Sequence, residues 1–279
     1  MRICVWTMVY NESFNLPIWL RYYGRQFGEE NLFVVDHGSD DGSTDNIGAA
    51  NRIRLPRSEV TVARTQHFMT EMCTQMLKFY DYFIYTDCDE LLVVDPKTHG
   101  SLRDYINMSR IGYLTGIGLN VVQNIKTEQE IDPEKPILQQ RQYAQFVEPM
   151  CKTLVTRVPI SWDGGYHFCD KTPVFGAVYN LHIKRVDVGV TLRRAALIRT
   201  VPRSDGGGVH QRLPDEELKA GFEHFSKREL SESFDFSNET RQFSAKLGPV
   251  GRYIGYRQDQ KRQDGKAMHR IPESFRDLF

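Results

Sequence analysis

Three acids close a hydrophobic run. Residues 82–94, YFIYTDCDELLVV, begin as an aromatic, apolar segment and then present Asp87, Asp89 and Glu90. A short apolar run of this kind reads as a buried strand. In an extended backbone, side chains two apart share a face, so Asp87 and Asp89 are expected to aim together, with Cys88 turned away. Two carboxylates at the end of a buried strand repel each other and lose solvation. A divalent cation with oxygen ligands relieves both costs. The plain alternative is an acidic turn after a strand. The strand in front and the apolar residues 91–94 behind weigh toward the cation site.

The preceding elements must bring other groups to that strand end. Residues 3–8 form a short apolar strand followed by Asn11 and Glu12. A helix follows, with Pro17 near its first turn and a core stripe of Leu16, Trp19, Leu20, Tyr23 and Phe27. Asn11 has a structural alternative as a cap of that helix. Residues 32–36, LFVVD, form a second strand running into HGSDDGSTD, where Ser43 or Thr44 is expected to cap a short helix toward residue 50. Residues 53–55 suggest a third strand. Residues 63–80 suggest a helix with Phe68, Met69, Met72, Cys73, Met76 and Phe79 on its buried side, and Arg64 and Gln66 near its start. Strand and helix alternate throughout, which predicts a mostly parallel α/β sheet flanked by helices. Ligands of such sheets bind beyond the carboxyl ends of the strands. Asn11, Glu12, Asp36, Arg64 and Asp87 are therefore expected at that ligand crevice, where Asp36 could accept hydrogen bonds from a base or ribose. Neither a G-x-G-x-x-G after the first strand nor a G-x-x-x-x-G-K-[ST] occurs, so a dinucleotide dehydrogenase or P-loop enzyme lacks its main signature.

Composition narrows the classes further. The chain has 279 residues, 40% hydrophobic and 26% charged, which is ordinary for a soluble globular protein with a sizeable core. Its 36 basic and 36 acidic residues cancel, which argues against nucleic-acid binding through bulk charge. Apolar runs fall far short of the ~20 residues of a membrane helix, and no signal-peptide pattern precedes the first strand. The five cysteines (Cys4, Cys73, Cys88, Cys151 and Cys169) are scattered without C-x-x-C spacing, and read as reduced thiols of a cytoplasmic protein.

Taken in order, VYNESFNLPIWLRYY, FVVDHGSDDGSTDNI and YFIYTDCDELLVV resemble the nucleotide-sugar half of a GT-A-fold glycosyltransferase, nearest family 2 and the family 92-like group. The resemblance is good over residues 3–95 and patchy over 111–200. Many family 2 members carry a second acid after the one at Asp36, where this chain has His37. The resemblance implies a Rossmann-like GT-A domain over 1–200, with a nucleotide-sugar half (1–95) and an acceptor half (96–200). A C-terminal helical extension over 201–279, without independent folding, would complete the chain. It also implies that Asp36 contacts the nucleoside, that Asp87 and Asp89 hold Mn²⁺ or Mg²⁺ on the diphosphate of a UDP-sugar, and that the reaction inverts. A late histidine often completes such metal sites. His182 is assigned that role, with His210 after Gly206-Gly207-Gly208 as its rival.

The second half offers fewer signals. Residues 101–108 suggest a helix, 111–122 a β run broken by Gly116 and Gly118, 124–136 a polar surface excursion and 152–157 a strand. Residues 161–183 interleave Trp162, Tyr166 and Phe168 with Asp163, His167 and Asp170. Aromatic faces beside polar groups suit a sugar ring, so Trp162, Tyr166 and His167 are the expected acceptor contacts. Asp163, flanked by aromatic and glycine residues, is the first choice for the base that activates the acceptor hydroxyl; Asp170, Asp215 and Glu216 are alternatives. Residues 184–203 look helical and basic, 206–209 suggest a lid, 214–226 a helix with an acidic first turn. The basic stretch 252–276 is either a solvated tail or a contact to anionic lipid near a lipid-linked glycan acceptor. A nucleotidyltransferase of similar plan and a non-catalytic saccharide-binding relative are the rival readings.

Overall fold

The computed structural model describes residues 1–59, 61–202, 212–246 and 265–279. In chain order the first half runs β1 (Ile3–Val9), α1 (Asn15–Phe27), β2 (Leu32–Asp36), β3 (Asn51–Arg54), α2 (Val62–Met76), β4 (Tyr82–Tyr85) and β5 (Glu90–Val93). There follow α3 (Pro96–His99), α4 (Leu102–Ser109), β6 (Tyr113–Val122), α5 (Ile137–Gln140), β7 (Tyr143–Phe146) and β8 (Thr153–Thr156). The chain continues through β9 (Trp162–Asp163), β10 (Phe168–Cys169), β11 (Phe175–Arg185), α6 (Val188–Thr200), α7 (Asp215–Phe225), β12 (Leu230–Ser231), α8 (Ser237–Lys246) and β13 (Met268–Arg270).

The expected α/β class is the one observed. Strands β3, β2, β1 and β4 lie side by side and parallel, as βαβ crossovers require. β1, β2 and β4 are mainly apolar and buried, with Trp6 stacked between Phe33 and Phe83 on one side of the sheet, whereas β3 is a polar, largely exposed edge strand. The chain leaves β1 toward β2 on one flank and returns through α2 to β4 on the other. That reversal opens a crevice beyond the carboxyl ends of β1 and β4, the position where open α/β sheets bind ligands.

Beyond β4 the sheet is mixed. β8 runs antiparallel between β4 and β6, and β11 pairs in parallel with β6 and antiparallel with β5. β6 is one continuous strand of ten residues, so the glycines expected to break it do not. They admit close neighbours instead: a Cβ on Gly116 would meet Asn180 at 3.0 Å, and one on Gly118 would overlap the Met150–Cys151 backbone.

Three local expectations differ from the fold. The segment after β2 forms turns rather than a short helix, because the Thr44 hydroxyl is drawn inward to Asp36. α2 stops at Met76, which leaves Phe79 exposed rather than on a buried face. The C-terminal part contains α7 and α8 but also gives the sheet β12 and β13, the latter paired with β7. The expected lid at 206–209, His210 and most of the basic stretch 252–276 lie outside the described residues. Among the described residues, no helix is long and apolar enough to cross a membrane.

Candidate functional site

The acidic motif sits on a turn, not on extended strand. Glu90 N–H donates to Asp87 O at 2.9 Å, closing a tight turn between β4 and β5. Asp87 and Asp89 consequently part company, which corrects the expectation of a shared face. Asp87 is tied on both oxygens, taking the Tyr85 hydroxyl at 2.9 Å and Lys152 Nζ at 3.2 Å. Cys88 is buried, as expected from its position between the acids.

Asp89 faces β11. The β5–β11 ladder sets His182 opposite Glu90, and Ile183 N–H donates to Asp89 O at 2.8 Å. His182 Nε2 then stands 3.2 Å from Asp89 Oδ2, while its Nδ1 is 2.8 Å from Asn120 Oδ1 on β6. Because Asn120 Oδ1 can only accept, Nδ1 carries the proton. Nε2 is thereby left facing a carboxylate oxygen of Asp89. Either a proton on Nε2 or a metal ion can bridge this contact. Two ligands at right angles on a hard divalent ion, with bonds of about 2.1 Å, lie about 3 Å apart, so the spacing fits a metal. The ring's remote hydrogen bond to Asn120 is the support that metal-binding histidines usually have. Asp89, Glu90 and His182 have ligand atoms within 4.8 Å of one another. Burial alone would raise the Asp89 carboxyl, but the neighbouring His182, Lys184 and Lys152 hold it well below its ordinary range.

Cations ring the turn. Lys152, buried just before β8, bonds Glu90 Oε1 at 2.5 Å as well as Asp87. Glu90 is fully buried, and its other oxygen takes Asn180 Nδ2 at 3.2 Å. The lysine stays charged, because the attraction of Glu90 and Asp87 outweighs the cost of its burial. Lys184 lies near Asp89; burial pulls its ammonium downward in pKa while Asp89 pulls it back. Arg194 on α6 ion-pairs with Glu12 and donates to Tyr10 O and Asn11 O at 2.9 and 2.8 Å. Glu12 is buried enough that its carboxyl is pushed up to about 7 despite Arg194.

The other expected residues fall into two groups. Asn11, in the left-handed region at φ 51°, exchanges hydrogen bonds with Asp40 and does not cap α1. It stands on the crevice rim beside Glu12. Arg64 is exposed near the start of α2. Asp36 has no exposed side-chain surface. Its Oδ1 accepts Ser39 N–H at 2.7 Å, and its Oδ2 takes Thr44, Arg52 and Arg54. Enclosed by the protein, its side chain is out of reach of a base or ribose, so Asp36 orients Arg52 and Arg54 rather than reading the nucleoside itself.

Trp162 is likewise spent inside. Its indole N–H donates to Thr153 O at 2.9 Å and its ring is enclosed by Phe83, Tyr85 and Tyr166, so it offers no sugar platform. Tyr166 is buried with its ring 4.1 Å from that of Tyr85. His167 Nδ1–H donates to Pro149 O at 2.5 Å. Burial, reinforced by the charge of Lys152, pushes that imidazole down to about 3, so it is neutral at pH 7. Asp163 holds the other end of the same β9–β10 hairpin, accepting Gly164 N–H at 2.7 Å. Lys152 and Asn120 were not singled out from the sequence, and Arg194 entered only as part of the basic stretch 184–203. The one visible signal for Lys152 was its place at the head of the strand expected at 152–157.

Neither a protein-family model nor a curated protein matches the chain. Solved structures that resemble it do so distantly. A mannosyltransferase from Pyrobaculum calidifontis in complex with GDP-Man and Mn²⁺ has 18% identity and TM-score 0.30, over 44% of this chain and 36% of that one. The chain thus spans about a third of that protein's length. A mannose-1-phosphate geranyltransferase from Thermus thermophilus has 10% identity and TM-score 0.32, over 79% and 68%. A CMP:2-keto-3-deoxy-manno-octonic acid synthetase complexed with CTP has 14% identity and TM-score 0.30, over 80% and 87%.

Proposed function

We propose that the chain is a metal-dependent glycosyltransferase that moves a sugar from a nucleotide-sugar, a UDP-sugar, to a saccharide or lipid-linked glycan, with inversion. The reading rests on the Asp89–His182 pair, whose carboxylate oxygen and imidazole nitrogen, 3.2 Å apart, are spaced to share a divalent cation at the switch point of an α/β sheet. Asp89 and His182 hold Mn²⁺ or Mg²⁺ directly, with Asp87 beside them. Bound there, the ion neutralises the charge that grows on a departing nucleoside diphosphate. Asn11, Glu12 and Arg64 form the rim along which the nucleotide lies. Arg52 and Arg54, held by Asp36, supply donors at the ends of β2 and β3. Asp163 takes the acceptor proton, with His167 on the same hairpin lining the acceptor side.

Calorimetric titration of UDP, CMP and GDP, with and without Mn²⁺, tests the reading on wild type and Asp89→Ala. UDP-selective binding that needs both Mn²⁺ and Asp89 supports it. Asp163→Asn should retain that binding and lose transfer. Turnover of UTP or CTP with release of pyrophosphate would instead make the protein a nucleotidyltransferase. Metal-independent sugar binding without donor cleavage would make it a saccharide-binding module.

A further inference from the structure

The acidic turn brings three carboxylates to one place, yet it holds a cation of its own. Lys152 has only 3% of its side chain exposed, and its ammonium touches Glu90 at 2.5 Å and Asp87 at 3.2 Å. Tyr85 occupies the second oxygen of Asp87, and Asn180 the second oxygen of Glu90. Every carboxylate oxygen of these two acids is therefore engaged by the protein. Asp89 differs in its partner, not in its exposure: its side-chain contact is the Nε2 of His182 and not Lys152, while its side chain is 24% exposed against 40% for Asp87.

We propose that Lys152 is a built-in counter-cation that withdraws Asp87 and Glu90 from the ligand set, leaving Asp89 and His182, among the described residues, as the only protein ligands for one divalent ion. Lys152 is a positioning residue in this scheme. It touches neither the metal nor a substrate, and it sets how much negative charge the turn offers. The chemistry follows from place and charge. An ion at the lysine nitrogen's position would lie between Asp87 Oδ2 and Glu90 Oε1, which is a second cation site already filled by the protein. The inference deepens the metal-site reading above and rests on it only for the identity of the wild-type ligands.

Lys152→Met tests it, read by Mn²⁺ stoichiometry in calorimetry and by thermal melting with and without Mn²⁺. Without metal the variant should melt several degrees below wild type. Mn²⁺ should restore it by a larger shift than wild type shows, with a second equivalent bound or affinity raised at least tenfold. Lys152→Arg, which keeps the charge, should bind as wild type does. An unchanged Mn²⁺ stoichiometry, affinity and melting shift in Lys152→Met would overturn the proposal. If that variant does not fold, the double variant Lys152→Met/Glu90→Gln decides. Removing the buried acid together with its cation should recover a folded chain with one Mn²⁺, and a double variant no more stable than the single one counts against the inference. No arm uses a nucleotide, so a failure to bind UDP would sink the transferase reading and leave this result standing.

Discussion

The carboxylate of Asp36 is hydrogen-bonded on both oxygens within the protein, and this has a consequence in acid. Burial alone would raise its pKa. The Ser39 N–H, the Arg52 guanidinium and the Thr44 hydroxyl outweigh burial and hold the carboxyl at about 2, against an ordinary 3.8. The native state therefore favours the ionised form more than the unfolded chain does. The resulting stability is complete above the unfolded pKa of about 4 and is lost as pH falls through 2. It amounts to something on the order of 2 kcal/mol. Urea melts at pH 7, 4 and 2 check this: Asp36→Asn should be less stable than wild type at pH 7, with the gap narrowing toward pH 2. A gap independent of pH would show that the carboxylate charge is not what holds Arg52 and Arg54. The place of Asp36 was legible, because an acid ending an apolar run marks a strand's carboxyl end. Its partners were not. Arg52 and Arg54 arrive from β3, the neighbouring strand, and no local pattern announces which of several donors will reach inward.

At the scale of elements, β6 shows how the same residues support two readings. Glycine weakens an isolated strand, so Gly116 and Gly118 read as breaks. In the folded sheet β6 is flanked by β11 on one edge and by β8 and β7 on the other, and glycine is what allows a third chain segment to cross it. A methyl group on Gly118 would overlap the carbonyl carbon of Met150 and sit 2.5 Å from Cys151 N. Both atoms belong to backbone, so neither can swing aside. Gly118→Ala should cost about 1–3 kcal/mol, the usual range for overpacking, measured as a shift in urea midpoint. Lys152 directly follows that segment, so the variant should also disturb Mn²⁺ binding, which a remote packing defect would leave alone. A loss below about 0.5 kcal/mol, the range of neutral surface changes, would mean that the crossing segment yields. The D-x-D motif teaches a related lesson. Its residue types were legible as a site, but the two-residue period held only while the chain was taken as extended. The turn at 87–90 sent Asp87 to Lys152 and Asp89 to His182.

For the whole molecule, the parallel half was legible because its strands and helices alternate locally along the sequence. The rest depends on pairings between distant segments. β12 and β13 have two and three residues, too short to show any period. β13 nevertheless joins β7, and the segment after it closes the core. Phe275 packs at 5.8 Å from Tyr179, the β11 residue three before His182. Phe279 lies against Tyr22 of α1 at 5.7 Å, and its backbone oxygen accepts Ile137 N–H at 2.8 Å. Residues 265–279 thus tie α1, α5 and β11 together, so they belong to the same folding unit as the site. Truncating one buried phenylalanine to alanine costs roughly 3–5 kcal/mol, and a domain's net stability is only about 5–15 kcal/mol. Phe279→Ala should therefore lower the melting temperature in a single transition, seen alike by circular dichroism and by the fluorescence of Trp6, Trp19 and Trp162. Deleting residues 265–279 removes both phenylalanines and β13 and should abolish that cooperative transition. If the deleted chain kept the wild-type melt, the parallel half would be stable without its C-terminal closure, and the two halves would be separable units.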